Sequence, residues 1–434
     1  MRVHCLRWLL PALLVSFTTP TLAAPEASDD ELPVADVQTF AEVFERIKRA
    51  YVEEVDDSTL MRNAMRGMLS ELDPHSSYLD SEDFEALRES TEGEFGGVGI
   101  EVGMQDGQLT VIAPIDDTPA AAAGLQPRDV ILRIDATPTE GMSLQQAVTL
   151  MRGEAGTDIQ MTILREGDNS PRTLTLTRQI IRSDSVKQEL LEPGYGYLRI
   201  SQFQSRTGNQ LKDALATLKQ QGPLDGLILD LRNNPGGVLD SAVEVADVFL
   251  DSGLIVYTEG RLPDSDMRFS AQAEGTLTDV PMVVLINGGS ASAAEIVAGA
   301  LQDQGRAVVM GTRSFGKGSV QQVMPLGNGD GLKLTTALYY TPNGRSIQAQ
   351  GIAPDVEVVR GRLEVAEGND FGLSESDLAG RLANPNGRAP KDRASSQPVL
   401  DYQLGEALNL LKALNVLERR PARSAGSAGE APSG

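Results

Sequence analysis

Thiols and imidazoles are nearly absent from this sequence. Cys5 is the single cysteine, and His4 and His75 are the only histidines, in 434 residues. The first 23 residues read as an export signal. Arg2 and Arg7 give it a positive start, and Leu9 to Phe17 is apolar but too short to cross a bilayer. Thr21-Leu22-Ala23 then offers small residues for cleavage near Ala23. An uncleaved membrane anchor is the alternative reading. Cleavage removes Cys5 and His4, so the mature chain has no disulfide, no cysteine nucleophile and no thiolate metal ligand. With His75 alone, a multi-histidine zinc site is excluded, and a Ser-His-Asp triad would have to use that one residue. Any hydrolase here must find its base elsewhere.

Positive charge is also short. Lys and Arg number 38 against 61 Asp and Glu, a net charge of −23, or −25 once Arg2 and Arg7 are lost. Such a surface repels nucleic acid and anionic lipid heads, and no dense basic run offsets it. No nucleic-acid partner is expected. Beyond the first residues no stretch approaches the ~20 apolar residues of a membrane span. The mature protein is therefore expected to be soluble and exported, with a bacterial periplasm as the best fit.

What is present suggests several folded units, because 434 residues exceed one ordinary core. The 43 glycines and 23 prolines sit between apolar segments and mark turns. Residues 33–90 read as helical, with Val37, Phe40, Val43, Phe44 and Ile47 in one stripe. They form either a cap on the main body or a dimerisation arm. Residues 95–180 read as a small β-rich domain that opens on Phe95-Gly96-Gly97-Val98-Gly99-Ile100. Residues 185–360 alternate strands and helices, the βαβ rhythm of an α/β domain. Gly226 to Leu231 and Met282 to Ile286 are apolar on both faces, as buried parallel strands are. Residues 361–418 form a polar region followed by one amphipathic helix, with Leu404, Leu408, Leu411 and Leu414 in its stripe. Residues 419–434 have the composition of a disordered tail.

Three segments can carry chemistry. Asn287-Gly288-Gly289-Ser290-Ala291-Ser292-Ala293-Ala294-Glu295 joins a buried strand to a helix. A serine there stands at a strand's carboxyl end, beside the N–H groups of a helix start. It is either a nucleophile next to an oxyanion site or an ordinary helix cap. Ser314-Phe315-Gly316-Lys317-Gly318-Ser319-Val320-Gln321 reads as extended, with Lys317, Ser319 and Gln321 on one side. Lys317 is either a solvated lysine or, partly dried beside Phe315, a neutral general base. The full phosphate-loop pattern is missing around it. Asp230-Leu231-Arg232-Asn233-Asn234-Pro235-Gly236-Gly237 is either a plain turn or a backbone cradle for a ligand.

These motifs, with Tyr340-Thr341-Pro342-Asn343-Gly344-Arg345-Ser346-Ile347 and Leu72-Asp73-Pro74-His75-Ser76-Ser77-Tyr78, resemble those of the carboxyl-terminal processing peptidases. These are S41-like serine proteases with a PDZ domain and a Ser-Lys dyad. The likeness runs in order from about Val37 to Val356. It implies an α/β multi-domain fold: a helical N-terminal arm, a PDZ-like domain, a crotonase/ClpP-like protease core and a helical C-terminal arm. It implies that Ser292 is the nucleophile, Lys317 the base 25 positions later, and Gln321 the residue that holds the lysine. The Ala293 N–H, with that of Gly236 or Gly237, is expected to hold the oxyanion. Gly96, Gly97, Val98 and Gly99 are expected to receive a substrate carboxylate, and Ile100 to line the adjoining pocket. No metal or organic cofactor is needed. Expected partners are protein or peptide substrates, an activating adaptor and a second copy of the chain, met through the N- and C-terminal helices. Arg165 is either an exposed strand arginine or a tie between the PDZ-like domain and the active site. His75, far in sequence from the dyad, is expected to be structural. The rival class is a catalytically idle PDZ-containing scaffold or chaperone, which would bind peptides and cut nothing.

Overall fold

The computed structural model describes residues 33–168, 170–273, 277, 279–361, 382 and 401–418. Residues 1–32, which include the segment read as an export signal, residues 419–434, read as a disordered tail, and most of 362–400 lie outside the described residues. Residues 1–68 and 69–434 form two separate compact units. The described part of the first consists of α1 (Val34–Ala50) and most of α2 (Asp57–Ser70). Neither helix buries a residue, and Val37, Phe40, Val43 and Ile47 remain exposed along one stripe of α1.

The second unit holds β1 (Ser77–Leu79), within a segment whose Pro and hydroxyl residues read as a turn, and α3 (Ser81–Glu92), capped by Asp80. Strand β2 (Glu94–Gly97) leads into β3 (Ile100–Gln105), β4 (Gln108–Pro114), the short α4 (Pro119–Ala122), β5 (Val130–Ile134) and β6 (Thr137–Pro138). Helix α5 (Leu144–Met151) follows, started by a capping box between Ser143 and Gln146. Strands β7 (Asp158–Leu164), β8 (Arg172–Thr177) and β9 (Gln179–Arg182) complete this part. Its sheet runs β3-β4-β5-β7-β8, with β3 at one end, while β2 and β9 pair apart. Ile131, Ile159, Met161 and Ile163 fill its core against Ala147 and Met151 of α5.

The remaining chain alternates as its βαβ pattern predicts. Strands β10 (Val186–Glu192) and β11 (Tyr195–Ile200) precede α6 (Thr207–Gln220), β12 (Gly226–Asp230) and α7 (Leu239–Asp247). Next come β13 (Leu254–Gly260), β14 (Arg268–Ser270), β15 (Met282–Ile286), α8 (Ala293–Asp303) and β16 (Val308–Gly311). Then follow β17 (Ser319–Pro325), β18 (Gly331–Tyr340), β19 (Val356–Glu357) and α9 (Tyr402–Glu418). The central sheet has the order β10-β11-β12-β15-β16-β19 and is parallel from β11 onward. Its strands are apolar on both faces because both faces are covered. Leu227 and Leu229 pack against α6 to α8, and Ile228, Val283 and Leu285 pack against α9.

That last contact changes the reading of the C-terminal helix. Ala407, Leu408 and Leu411 are buried on the chain's own sheet, and Arg232 pairs with Asp401 at the start of α9. The helix is part of the core rather than a projecting arm, so its apolar stripe is not open to a second copy. A separate antiparallel sheet is built on β18, flanked by β17 along its length, by β1 near its start and by β13 near its end.

Candidate active site

Three turns leave the carboxyl ends of neighbouring parallel strands and meet. They follow β12 (residues 231–237), β15 (287–292) and β16 (312–318). This is the edge at which open α/β sheets collect ligands. Asparagines lace the first two turns together. The Asn233 N–H donates to Asn287 Oδ1 at 2.9 Å, and Asn287 Nδ2 donates to Asn233 Oδ1 at 3.0 Å. Buried Asn234 donates to Ile200 O and accepts from the Gly236 N–H at 2.8 Å. Gly236 and Gly237 have φ of 100° and 140°, values that side chains disfavour. A Cβ on Gly236 would stand 2.8 Å from Ser292 Cβ, so glycine is what lets the two turns touch.

Ser292 stands at the N-cap of α8 with φ 55° and ψ −116°. A non-glycine residue held there carries about 1–3 kcal/mol of strain, and such strain gathers at functional sites. Its N–H donates to Glu295 Oε2 at 2.8 Å. Ser290 is different: fully buried, it gives its hydroxyl to Leu231 O and accepts from the Asn287 N–H. It braces the turn.

Glu295 is 0 % exposed and gathers four hydrogen bonds. Oε2 accepts from the N–H groups of Ser292 (2.8 Å) and Lys317 (2.9 Å). Oε1 accepts from the Gly316 N–H (2.7 Å) and the Ser314 hydroxyl (2.6 Å). Burial pushes its carboxyl pKa up, against the pull of those hydrogen bonds. One carboxylate thus ties the backbone of Ser292 to the backbone of Lys317. Glu295 belongs to the Asn287–Glu295 motif, but local pattern alone assigns it no role. The spacing Ser292-x-x-Glu295, a capping-box pattern, was the signal available.

Lys317 precedes β17 and is half-buried. Burial lowers its pKa, with help from the Lys333 charge, while Asp73 and Glu295 act the other way. Among the described residues its ammonium has no ion pair and no hydrogen bond, including none to Ser292. Phe315 is 63 % exposed and cannot supply the dryness the sequence suggested. Buried Tyr339 closes the site instead: its hydroxyl donates to Lys317 O, and the Ser292 hydroxyl interacts with the same phenol. Ser292, Ala293, Gly237, Lys317, Gln321 and Tyr339 line one cavity of about 380 Å³. The Gly236 N–H is taken by Asn234, whereas those of Gly237 and Ala293 have no hydrogen bond among the described residues.

Gln321 shares the cavity but donates to Ser319 Oγ (2.9 Å) and Thr335 Oγ1 (3.2 Å), not to Lys317. A bulge between Val320 and Gln321 breaks the simple alternation expected there. Thr335 in turn donates to Asp73, which also accepts from the N–H groups of His75 and Ser76. The Asp73 to Tyr78 segment, remote in sequence, is therefore joined to the active-site strands through β1 and β18. His75 titrates below its ordinary value because of burial first and the Lys317 charge second.

In the smaller domain, Gly96 and Gly97 are paired with Ile180 and Gln179, so they form a strand rather than an open loop. Val98 is buried, its carbonyl accepting from Ala120, and Gly99 with φ 76° turns the chain into β3. Ile100 is half-buried against the core. Among the described residues strand β3 pairs only with β4, which leaves its other edge without a strand partner. Arg165 is bound to buried Asp129 at 2.8 Å and to Gly124 O, wholly within this domain. It does not reach the catalytic cavity.

Residues 194–358 match the family described as Peptidase family S41, and residues 96–176 match the PDZ domain. Residues 18–83 match the Activating protease CtpB N-terminal domain. The class is thus a mixed α/β serine-type peptidase with a PDZ domain. The carboxy-terminal-processing protease of Bartonella bacilliformis is 49% identical over 384 residues, 86% of this chain and 87% of that one. The carboxyl-terminal-processing protease of a Synechocystis species is 42% identical over 70% of this chain and 72% of its own. The solved photosystem II D1 C-terminal processing protease is 34% identical over 74% of this chain and 92% of its own, with a TM-score of 0.44. The chain belongs to the carboxy-terminal processing protease family.

Proposed function

We propose that this peptidase cuts exported proteins at or near their carboxyl ends by a Ser292–Lys317 dyad. The observation that carries the reading is the Glu295 clamp. It holds a serine on a strained strand-to-helix turn and a half-buried, unpaired lysine at one cavity. Neutral Lys317 takes the Ser292 proton as Ser292 Oγ attacks the peptide carbonyl. The N–H groups of Ala293 and Gly237 receive the oxyanion, and of the two glycines Gly237 fits better because Gly236 is already engaged. Lys317 then protonates the leaving amine, and water cleaves the acyl-enzyme. Before attack, the Ser292 hydroxyl must turn from Tyr339 toward Lys317. Gln321 serves through Ser319 and Thr335 rather than by direct contact with the lysine.

Substrates are selected at the PDZ domain by adding a strand to the open edge of β3, with the Val98-Gly99 turn near their terminal carboxylate and Ile100 beneath the side chain. The limits 95–180 and 185–360 for the two domains belong to this proposal, as do cleavage near Ala23 and residence in the periplasm. Among the described residues no helix is long and apolar enough to cross a membrane. The exposed stripe of α1 is the surface that supports self-association or an adaptor. Ser292→Ala and Lys317→Ala are each expected to lower cleavage of a loosely folded substrate on the order of 10⁵-fold, with unchanged circular dichroism. Cleavage retained in either variant refutes the dyad, and peptide binding without any cleavage by the wild type favours the idle scaffold.

A further inference from the structure

The catalytic cavity is electrostatically unlike the rest of the chain. Acidic side chains outnumber basic ones 61 to 38, yet none of them lines the cavity, while two lysines, Lys317 and Lys333, do. Lys333 projects from β18, where its backbone lies opposite Ser77 of β1 and Val323 of β17. It is half-buried and has no ion pair or hydrogen bond among the described residues. Several other partly buried cations have carboxylate partners, and Arg178 and Arg306 are held by backbone carbonyls. Arg165 has Asp129, Lys412 has Glu192, and Arg232 has Asp230 and Asp401. A partly desolvated ammonium is stabilised by a carboxylate partner, and here the described residues supply none.

We propose that Lys333 is a specificity residue of the cleft, which binds a carboxylate on the substrate close to the scissile bond. This rests on the peptidase reading above and extends it to the class of substrate. A sphere of 380 Å³ is about 9 Å across, the span of two to three extended residues. The carboxylate therefore belongs to an Asp or Glu side chain within that distance of the bond, or to the substrate's own terminus when the cut falls that near the end. Lys317 works as a neutral amine, so Lys333 is the positive charge left in the cavity to meet it.

The same placement gives Lys333 a measurable effect on the base. The charged groups acting on Lys317 are Lys333, which favours the neutral amine, and Asp73 and Glu295, which oppose it; His75 stands in the same field. A carboxylate on Lys333 offsets that help. Acidic substrates are thus expected to bind more tightly while their kcat reaches its plateau at a higher pH.

The test uses the mature chain and two peptide sets. In one, Glu or Gln stands one to three positions from the scissile bond, with the terminus amidated to keep the PDZ domain out. In the other, the peptide ends within that span as an acid or an amide. Kd is measured on a Ser292→Ala background and kcat and KM on the wild type, each compared with Lys333→Met, Lys333→Gln and Lys333→Arg. The expected result is an advantage of about tenfold in Kd and KM for the acid member of at least one set, and which set shows it identifies the source. Lys333→Met and Lys333→Gln abolish the advantage, and Lys333→Arg keeps it. With neutral peptides, Lys333→Met moves the acid limb of kcat/KM to higher pH. Equal Kd for acid and neutral peptides, or a preference that survives loss of the Lys333 charge in either folded variant, overturns the proposal. If the wild type cuts nothing but the Lys333-dependent preference appears in Kd, the peptidase reading fails and the carboxylate site stands.

Discussion

The protease core and the PDZ domain solve opposite problems with the same raw material of strands and glycine turns. In the core, three turns are locked by polar contacts: Asn233 on Asn287 near the surface, Asn234 on Gly236 in the interior, and four donors on Glu295. Backbone strain at Ser292 is held in place by those contacts. In the PDZ domain the polar contacts close the fold, as Arg165 does on Asp129, and among the described residues β3 keeps one edge without a strand partner, the surface proposed above for substrate. Catalysis needs atoms fixed before substrate arrives, whereas selection needs a strand without its neighbour.

The contrast breaks most sharply at Glu295. Glu295→Ala leaves three buried N–H groups and one hydroxyl without their acceptor. It is expected to cost about 3 kcal/mol in thermal or denaturant unfolding, and about 100-fold in kcat/KM. Peptide binding at the PDZ domain stays unchanged. Full activity with equal stability would show that the clamp is incidental. The next effect is on pH. Because the Lys317 pKa lies below its ordinary 10.5 and only the neutral amine accepts a proton, activity rises with pH through that lowered value. Below it, kcat/KM is expected to fall about tenfold per unit, measured from about pH 6 to 10 with a short neutral peptide. The smallest effect lies on the PDZ side. Ile100→Ala is expected to raise KM about fivefold for a protein substrate with a natural terminus and to leave short-peptide kcat unchanged.

Much of the framework was legible from local pattern. Gly226 to Leu231 and Met282 to Ile286 announced parallel strands because both faces are apolar, and the glycine-rich turns after them marked the edge of the candidate site. The pairing of Ser292 with Lys317 rests on the family resemblance, since the local pattern leaves Ser292 either a nucleophile or a helix cap and Lys317 either a base or a solvated lysine. What stayed hidden depends on distant partners. Glu295 looks like a first-turn helix acid until the third turn folds over it. Asp73 meets Thr335 only because β1 pairs with β18. The stripe of α9 is the same whether it meets a second copy or the chain's own sheet. Likewise, nothing local says that Asn234 occupies the N–H of Gly236, or that Phe315 points to water.

Under the proposed function, a peptidase that works inward from carboxyl ends could also turn on its own chain. Helix α9 answers that danger by burial. Ala407, Leu408 and Leu411 are sunk in the central sheet, and Asp401 is clasped by Arg232. Self-digestion advancing from that side must first peel the helix off the floor of the protease. Trimming is then expected to halt where α9 begins its grip, which leaves the catalytic turns intact in a shortened but working molecule.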